Sequence, residues 1–200
     1  GNCHSFPKDG RTLAMDVDYA NDKGSYVIQD IEPETVLKPE KIISWSDFRP
    51  RQKEPTFGLL SQISPNGRYV VSTVKDRSIF VPKDDLYYSQ LFFPIKGILA
   101  VYDRQTDRFF PLPGADDPEF VQSNPCWSPD GQTIYFARAP VYHSKAAEAS
   151  QMVVLPTEAA SEFINGERDF KYDLYQIPFN NGRGGTATPV PGAAQNGKSN

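Results

Sequence analysis

Short apolar and aromatic runs alternate with turn-forming residues along the whole chain. Residues 132–136 (Gln-Thr-Ile-Tyr-Phe) directly follow residues 128–131, whose sequence is Ser-Pro-Asp-Gly. In such a segment proline presets the first central residue of a type I turn, and glycine takes the left-handed position that closes a three-residue hairpin loop. β-branched and aromatic residues then favour a strand. The pattern therefore predicts a β-hairpin around this turn.

The same pattern occurs two more times. Residues 63–71 repeat it with Asn66 in place of the aspartate, which is an accepted exchange in turns. Residues 6–15 repeat it more loosely, because the proline stands one position early while the Asp-Gly pair and the following apolar run are kept. Since internal repeats decide the architecture of a chain, these three copies are the main indication of the fold.

Each copy is followed by further strand-like runs. After the third copy, residues 173–178 and 186–190 flank a glycine-rich segment, and the second and first copies are followed by similar runs at 97–112 and 24–28. Four antiparallel strands of this kind form a blade of a β-propeller. We therefore predict an all-β chain with about three four-stranded blades, which form one propeller domain or part of one. A plain β-sandwich is the alternative, because turn signals recur at short intervals there too. The expected blade units are residues 1–57, 58–121 and 122–200.

The units are longer than the roughly 40–45 residues that a blade needs. We assign the surplus to insertions at residues 75–96 and 139–171. The second insertion contains residues 156–166, where proline opens the segment, acidic residues follow in the first turn, and Asn-Gly ends it. These signals predict a short helix.

The three copies resemble the TolB-like propeller repeat, a relative of the WD-type repeat. The resemblance rests on an aromatic residue before Ser-Pro-Asp-Gly, an apolar strand after it, and then residues 173–177 (Asp-Leu-Tyr-Gln-Ile) with a glycine-rich turn. It covers most of the chain outside the insertions. It implies a propeller, and it implies little about activity, because propellers have many roles. Three blades are fewer than the four of the smallest propellers, so we expect either a fragment of a longer protein, which we favour, or missing strands supplied by the insertions.

Composition excludes some classes of function. The net charge of -4 and the sequence pI near 5.2 argue against nucleic acid, whose binding needs a basic face. No apolar run approaches the roughly 18 residues that a membrane helix requires. The 18 prolines favour short strands and turns. Two cysteines do not make a disulfide framework.

Residues 2–4 (Asn-Cys-His) match the end of Cys-x-x-Cys-His, the attachment motif of haem c. With Cys3 and His4 in those roles, the first cysteine would have to stand immediately before Gly1. The other interpretation aligns residues 3–6 with residues 124–127 and makes Cys3 and His4 part of the innermost strand of the first blade. We expect no cofactor in this chain, and haem c only in a longer protein with that upstream cysteine. An upstream lipidated cysteine, which would tether the domain to a membrane, is a third possibility.

The segment after the first apolar run carries several oxygen ligands. Asp16, Asp18, Asn21 and Asp22 form a loop that partly follows the Asp-x-Asp pattern of calcium sites. The spacing departs from that pattern and no glutamate stands at the twelfth position. We therefore favour a polar loop held by side-chain-to-backbone hydrogen bonds over a calcium site.

Two groups of residues are candidates for binding. The residues expected at the mouth of the central funnel are His4, Gln62, Ser123 and Asn124. The most aromatic stretch includes Tyr87, Tyr88 and Phe92, and it forms either a binding platform or ordinary packing between blades, which we favour.

No catalytic motif stands out: the chain has no Gly-x-Ser-x-Gly, no His-Glu-x-x-His and no phosphate-binding glycine loop. We therefore expect a non-enzymatic propeller, periplasmic or otherwise outside the cytoplasm, that binds a protein, peptide or glycan partner. One alternative is part of a haem c electron-transfer protein. The other is a regulatory propeller of a serine hydrolase whose catalytic domain lies elsewhere.

Overall fold

The strands form three four-stranded antiparallel units that follow one another along the chain. The structure is a computed structural model that describes residues 4–48, 56–82 and 90–198. The first blade contains β1 (His4–Ser5), β2 (Thr12–Asp16), β3 (Ser25–Asp30) and β4 (Ile42–Ser44). The second contains β5 (Leu59–Ile63), β6 (Tyr69–Pro82), β7 (Gln90–Asp103) and β8 (Arg108–Pro111). The third begins with β9 (Phe120–Trp127) and β10 (Thr133–Pro140), continues past β11 (Val154–Leu155) of an insertion, and ends with β12 (Asp173–Pro178) and β13 (Thr188–Pro189).

Within each blade the strands pair in chain order, from the innermost strand outward. The pairs are antiparallel, and one parallel bridge between Gly97 and Val121 joins the second blade to the third. The prediction of an all-β chain built from about three propeller blades is confirmed, and the described part of the chain is a partial propeller.

The three predicted turns share one geometry. In the third, the Gly131 amide donates to the Ser128 carbonyl at 2.9 Å, and Gly131 has a φ of 71°. The Ser128 hydroxyl accepts from the Thr133 amide at 2.9 Å, which starts β10 directly after the turn. The glycines of the other two turns make the equivalent bond to the residue three positions earlier, at 3.0 Å for Gly10 and 2.8 Å for Gly67. The turns therefore fix the register of the inner hairpin of each blade.

The second blade is buried on both faces. Val70 and Val74 of β6 belong to a core shared with the first blade, whereas Tyr69 and Val71 belong to a core shared with the third. Neighbouring residues of β7 divide in the same way, since Ile98 and Ala100 face the first blade and Leu99 and Val101 face the third. A strand covered on both faces needs apolar residues at successive positions, and this explains the unbroken run in residues 98–102.

The two insertions pack against each other. Strands β6 and β7 continue beyond a bulge near Val74 as a long hairpin, and β11 pairs in parallel with β6 at Ser78 and Ile79. The later insertion also contains α1 (Lys145–Ala149) and α2 (Ser161–Ile164), the second preceded by the 3-10 turn Thr157–Ala160. The short helix predicted within residues 156–166 is thus confirmed. A third apolar core joins the insertions, and its fully or almost fully buried members include Ile79, Ile95, Tyr142, Leu155 and Ala160.

A buried carboxylate fixes the start of the second blade. Asp76 is fully buried in the bulge of β6. Its Oδ1 accepts hydrogen bonds from the Thr56 hydroxyl at 2.5 Å, the Phe57 amide at 3.0 Å and the Gly58 amide at 3.2 Å. The segment leading into β5 is therefore held against β6, and Trp45 of the first blade packs so closely on Gly58 that a β-carbon there has no room.

We expect Asp76→Ala to lower the free energy of unfolding by about 3 kcal/mol, because two buried donors and one partly buried donor lose their acceptor. Asp76→Asn keeps an oxygen at the same place and is expected to cost about 1 kcal/mol or less. The measurement is urea unfolding of both variants beside Asp169→Ala, the removal of a surface carboxylate whose side chain is 82% exposed. Equal stability of Asp76→Ala and Asp169→Ala would contradict the anchoring role.

Candidate binding site on the inner strands

The innermost strands of the three blades lie side by side. Each is an edge strand: β1 pairs with β2, β5 with β6, and β9 with β10 apart from the single bridge to β7. An edge strand presents backbone amide and carbonyl groups outside the ladder of its own sheet. The strands β1 and β9 both lie against β5, so the three inner strands follow one another across one side of the partial propeller.

Two of these strands carry a bulge at the same place in the repeat. Leu60 and Asn124 stand at equal distances before the turn glycines Gly67 and Gly131, and both have positive φ values, 60° and 53°. The strand register shifts at both positions. A non-glycine residue in the left-handed region is uncommon, and a bulge re-aims the side chains beside it. The equivalent residue of the first blade is Cys3, which lies outside the described residues.

A groove of about 270 Å³ runs across the inner strands near the turns. Gln62 lines this groove, and its carbonyl accepts a 3.0 Å hydrogen bond from the indole Nε1 of Trp127. The indole thereby ties the third inner strand to the second. The groove is lined by residues from all three repeats: Phe6, Lys8, Gln62, Ile63, Pro65, Cys126, Trp127, Ser128 and Pro129.

The groove presents groups of four chemical kinds. Lys8 supplies a cation, Gln62 an amide, Phe6 an exposed ring, and Cys126 a free, exposed thiol. Within residues 4–48, 56–82 and 90–198, no three His, Cys, Asp or Glu side chains come together as a metal site. The arrangement therefore suits recognition by charge, hydrogen bonds and apolar contact.

The four residues predicted at the funnel mouth differ in solvent exposure. His4 and Asn124 are exposed and Gln62 is partly exposed, each on an inner strand. Ser123 is buried against the second blade. It is 1% exposed and accepts a 3.3 Å hydrogen bond from the Thr73 hydroxyl of the second blade. The bulge at Asn124 thus accompanies a turn of the preceding residue towards the neighbouring blade.

The aromatic stretch is only partly described. Cys3, Tyr87 and Tyr88 lie outside the described residues, so the haem and platform hypotheses that name them stay predictions. Phe92 lies on the long hairpin, is 47% exposed, and packs against Phe80 with a ring-centroid distance of 5.3 Å.

The residues considered for calcium have separate partners. The Asp16 carboxylate accepts from the Ser61 hydroxyl at 3.1 Å, and Asp18 forms an ion pair with Lys23. Asp22 is partly buried, which raises its pKa, but it accepts hydrogen bonds from the Ser44 hydroxyl, the Gly24 amide at 2.9 Å and the Ser46 hydroxyl at 2.8 Å, and these lower its pKa overall. Asn21 takes part in the turn with a φ of 64°. Hydrogen bonds and an ion pair within the chain hold this polar loop. Calcium binding at these residues stays a prediction.

A buried polar network between the first two blades was missed by the sequence reasoning. The Ser61 hydroxyl contacts the Asp16 carboxylate, the Ser72 hydroxyl at 2.9 Å and the Gly58 carbonyl at 3.3 Å. Gly58 in turn donates to Asp76, so two carboxylates share one network. The available signal was a single acidic residue, Asp76, within the otherwise strand-like run of residues 69–81.

The electrostatics of this network are set by burial. Removal from water raises the pKa of Asp16 to about 7; the Ser61 hydrogen bonds oppose that rise, and Asp76 adds to it. Burial likewise raises the pKa of Asp76, against the hydrogen bonds from residues 56–58. The network joins β2, β5 and β6, and burial is the largest influence on both carboxyl groups.

The chain is similar in fold to two solved propeller-containing proteins. TolB from Acinetobacter baumannii shares 13% identity over 95% of this chain, with a TM-score of 0.43. The tricorn protease shares 12% identity over 88% of this chain, with a TM-score of 0.40. The chain spans 33% of the TolB chain and 13% of the tricorn protease chain. No family model and no curated protein sequence matches it. Likeness at this level transfers no activity, substrate or partner to this chain.

We expect Asp16→Asn to change how stability depends on pH. The folded-state pKa of about 7 exceeds the ordinary value of 3.8, so the folded chain holds a proton that the unfolded chain has released. The wild-type chain should therefore lose stability relative to Asp16→Asn as pH rises from 4 to 7, and the difference should level off above that.

The measurement is urea unfolding across this pH range. The same change at Asp169, which lies at the surface, is the matched control. A constant difference between wild type and Asp16→Asn at every pH would show that Asp16 does not titrate in this window.

Proposed function

We propose that this chain is a non-enzymatic binding scaffold that holds an extended peptide segment of a partner protein in the groove of the inner strands. The supporting observation is the meeting of three edge strands around a groove that presents Lys8, Gln62 and Phe6. An extended peptide satisfies exposed strand edges with its own backbone, and side-chain pockets then give specificity.

The chemistry of the groove favours an acidic peptide. Lys8 is the one cationic side chain among the groove residues, and they include no carboxylate. A peptide with an aspartate, a glutamate or its terminal carboxylate near Lys8 gains a charge-assisted hydrogen bond. An apolar side chain next to that carboxylate can cover Phe6, which is 48% exposed.

A location outside the cytoplasm belongs to the same proposal. Its support is the resemblance of the three turns to the TolB-like repeat. Across the described residues, no helix has the length and apolar character needed to cross a bilayer. A membrane tether upstream of the chain stays a prediction.

A display library of random seven-residue peptides tests the groove. We expect selected peptides to be acidic, and to bind Lys8→Glu and Gln62→Ala roughly tenfold more weakly than wild type. Fluorescence anisotropy with the most enriched peptide gives the affinities. Lys145→Glu, the same charge reversal on the exposed start of α1, is the control and should leave binding unchanged. Selection of no peptide, or equal binding by all variants, would contradict the proposal.

Haem c attachment is the second candidate. The observation that favours it is the exposure of His4 on β1, where its ring meets Phe6 edge-on at a centroid distance of 5.7 Å. The chain's other cysteine, Cys126, is on the third blade, so the thiol beside Cys3 would have to come from a residue before Gly1. With those ligands, Cys3 would hold the haem covalently and His4 would bind its iron.

The gene with its upstream codons provides the test. If a cysteine precedes Gly1, protein matured in an oxidising compartment should carry covalent haem detectable by staining after denaturation. His4→Ala should shift the visible spectrum of that haem, and Cys3→Ser should reduce its attachment. A colourless product with both cysteines present would contradict the haem hypothesis.

A further inference from the structure

A second pocket lies between the turns of the second and third blades, two neighbours that pack on each other within the chain. This turn pocket has a volume of about 300 Å³. Asn66, Asp130 and Gln132 line it and do not line the groove of the inner strands, whereas Phe6 and Gln62 line only the groove. Pockets for small molecules measure about 300 to 1,000 Å³, so this one has room for a single small ring.

Aromatic side chains form one wall of the turn pocket. Phe179 meets Tyr69 and Trp127 edge to face, with ring centroids 4.8 Å and 4.7 Å apart. Tyr69 and Phe179 are almost fully buried, whereas Trp127 is partly exposed and its Nε1 is fixed by the Gln62 carbonyl. The indole is therefore a rigid apolar surface. Because the face of an aromatic ring carries partial negative charge, it attracts the slightly positive C–H groups of a ligand.

Two equivalent turn residues supply a donor and an acceptor. Asn66 and Asp130 hold the same position in their turns, and the Oδ1 atom of each is used by the turn itself. Oδ1 of Asn66 accepts from the turn serine at 2.7 Å and from the amide two residues later at 3.0 Å. The same bonds to Oδ1 of Asp130 measure 2.5 Å and 3.0 Å. This leaves Nδ2 of Asn66 as a donor and Oδ2 of Asp130 as an acceptor, neither with a hydrogen-bond partner among the described residues.

The lining favours a neutral ligand with hydroxyl groups. Its charged side chains are Lys8 and Asp130, whose charges cancel. Gln132 and Asn181 add exposed amide groups. The hydrogen bond from the turn serine, together with that from the Gln132 amide, lowers the pKa of Asp130, so its Oδ2 is an acceptor at neutral pH. A hydroxyl group donates one hydrogen bond and accepts two, so it can use Asn66 as donor and Asp130 as acceptor.

We propose that the turn pocket binds a neutral sugar ring, with one face of the ring on Trp127 and its hydroxyl groups bonded to Asn66 and Asp130. A sugar ring combines the two properties that the pocket requires, because its C–H groups form an apolar face and its hydroxyl groups surround the edge. A glycan is one of the partners expected from the sequence, and this pocket is a site for one of its sugar units. The proposal is independent of the peptide groove, since the residues that bond the hydroxyl groups lie outside that groove.

Amide NMR of the isotope-labelled chain tests the pocket with the methyl glycosides of glucose, galactose, mannose and N-acetylglucosamine. At least one of them should shift the signals of the Trp127 indole and the Gly131 amide saturably, with a Kd on the order of 1 mM, and leave the buried Trp45 indole unchanged. Asn66→Asp and Asp130→Asn should each weaken this binding roughly tenfold, because each exchange removes one hydrogen bond to the sugar.

The repeat itself makes these exchanges well matched. Each places in one turn the residue that the other turn already contains, so both turns should stay folded, which circular dichroism checks. The two exchanges change the net charge in opposite directions, so weaker binding by both indicates lost hydrogen bonds rather than charge. Asn165→Asp, the same exchange in the Asn-Gly turn of the later insertion, is the control and should bind like wild type.

Gln62→Ala separates this proposal from the peptide groove, because it should weaken peptide binding and leave sugar binding unchanged. Asn66→Asp and Asp130→Asn should have the reverse effect. No shift with any of the four glycosides at about 50 mM, or an unchanged Kd in either turn variant, would overturn the sugar site.

Discussion

The structure depends on one constraint: a blade is a sheet with two apolar faces, and both faces must be covered. Successive residues of a strand point to opposite faces, so the second blade needs apolar side chains at nearly every position of its central strands. Val70 and Val71 are both fully buried for this reason, although they face different neighbours. The first and third blades each receive this cover on one face from the second blade.

The same constraint explains where polar groups are tolerated between blades. The inner ends of the blades converge, and the space there is filled by hydroxyl and carboxyl groups rather than by large apolar side chains. Ser61, Ser72 and Asp16 meet in this region, and each finds a hydrogen-bond partner. Asp76 adds a carboxylate whose Oδ1 accepts three hydrogen bonds, while its Oδ2 is buried without a partner among the described residues. Burial of these groups costs free energy, and in return the position of the inner strands is tightly defined.

The shape of the groove follows from the packing of the inner strands. Because Trp127 and Gln62 are joined across two blades, the lining residues are carried by rigid strands and turns rather than by long loops. The enlarged loops lie instead at the far end of β6 and β10, where they form a core of their own. The turns at one end of the blades therefore share one geometry in all three copies. The insertions, which differ between the blades, lie at the opposite end.

The local features were predictable from the sequence. The three turns follow from proline, aspartate or asparagine, and glycine at fixed positions, because such turns are stabilised by bonds within a few residues. The short helix in the later insertion follows from its proline and its Asn-Gly end. The blades follow from the recurrence of these signals, although the sequence left the sandwich open as an alternative.

The features that depend on long-range packing were not predictable. Ser123 was expected at the funnel mouth from its place on an inner strand, and the structure buries it beside a bulge at Asn124 that no local signal specifies. The parallel pairing of β11 with β6 joins residues about 75 positions apart, and no local signal specifies it. Gln62 was predicted at the funnel mouth and lines the proposed groove, whereas Lys8 was not predicted, because a lysine in a turn is indistinguishable from a solvated one.

Amide hydrogen exchange tests the central claim most directly, because it reports how well each strand is covered. If the second blade is buried between the other two, the amides of residues 70–74 and 98–102 should exchange most slowly in the chain. The paired strands of the first and third blades should exchange faster, since each has one less covered face. Equal protection in all three blades, or slower exchange in the first or third, would contradict this account of the fold.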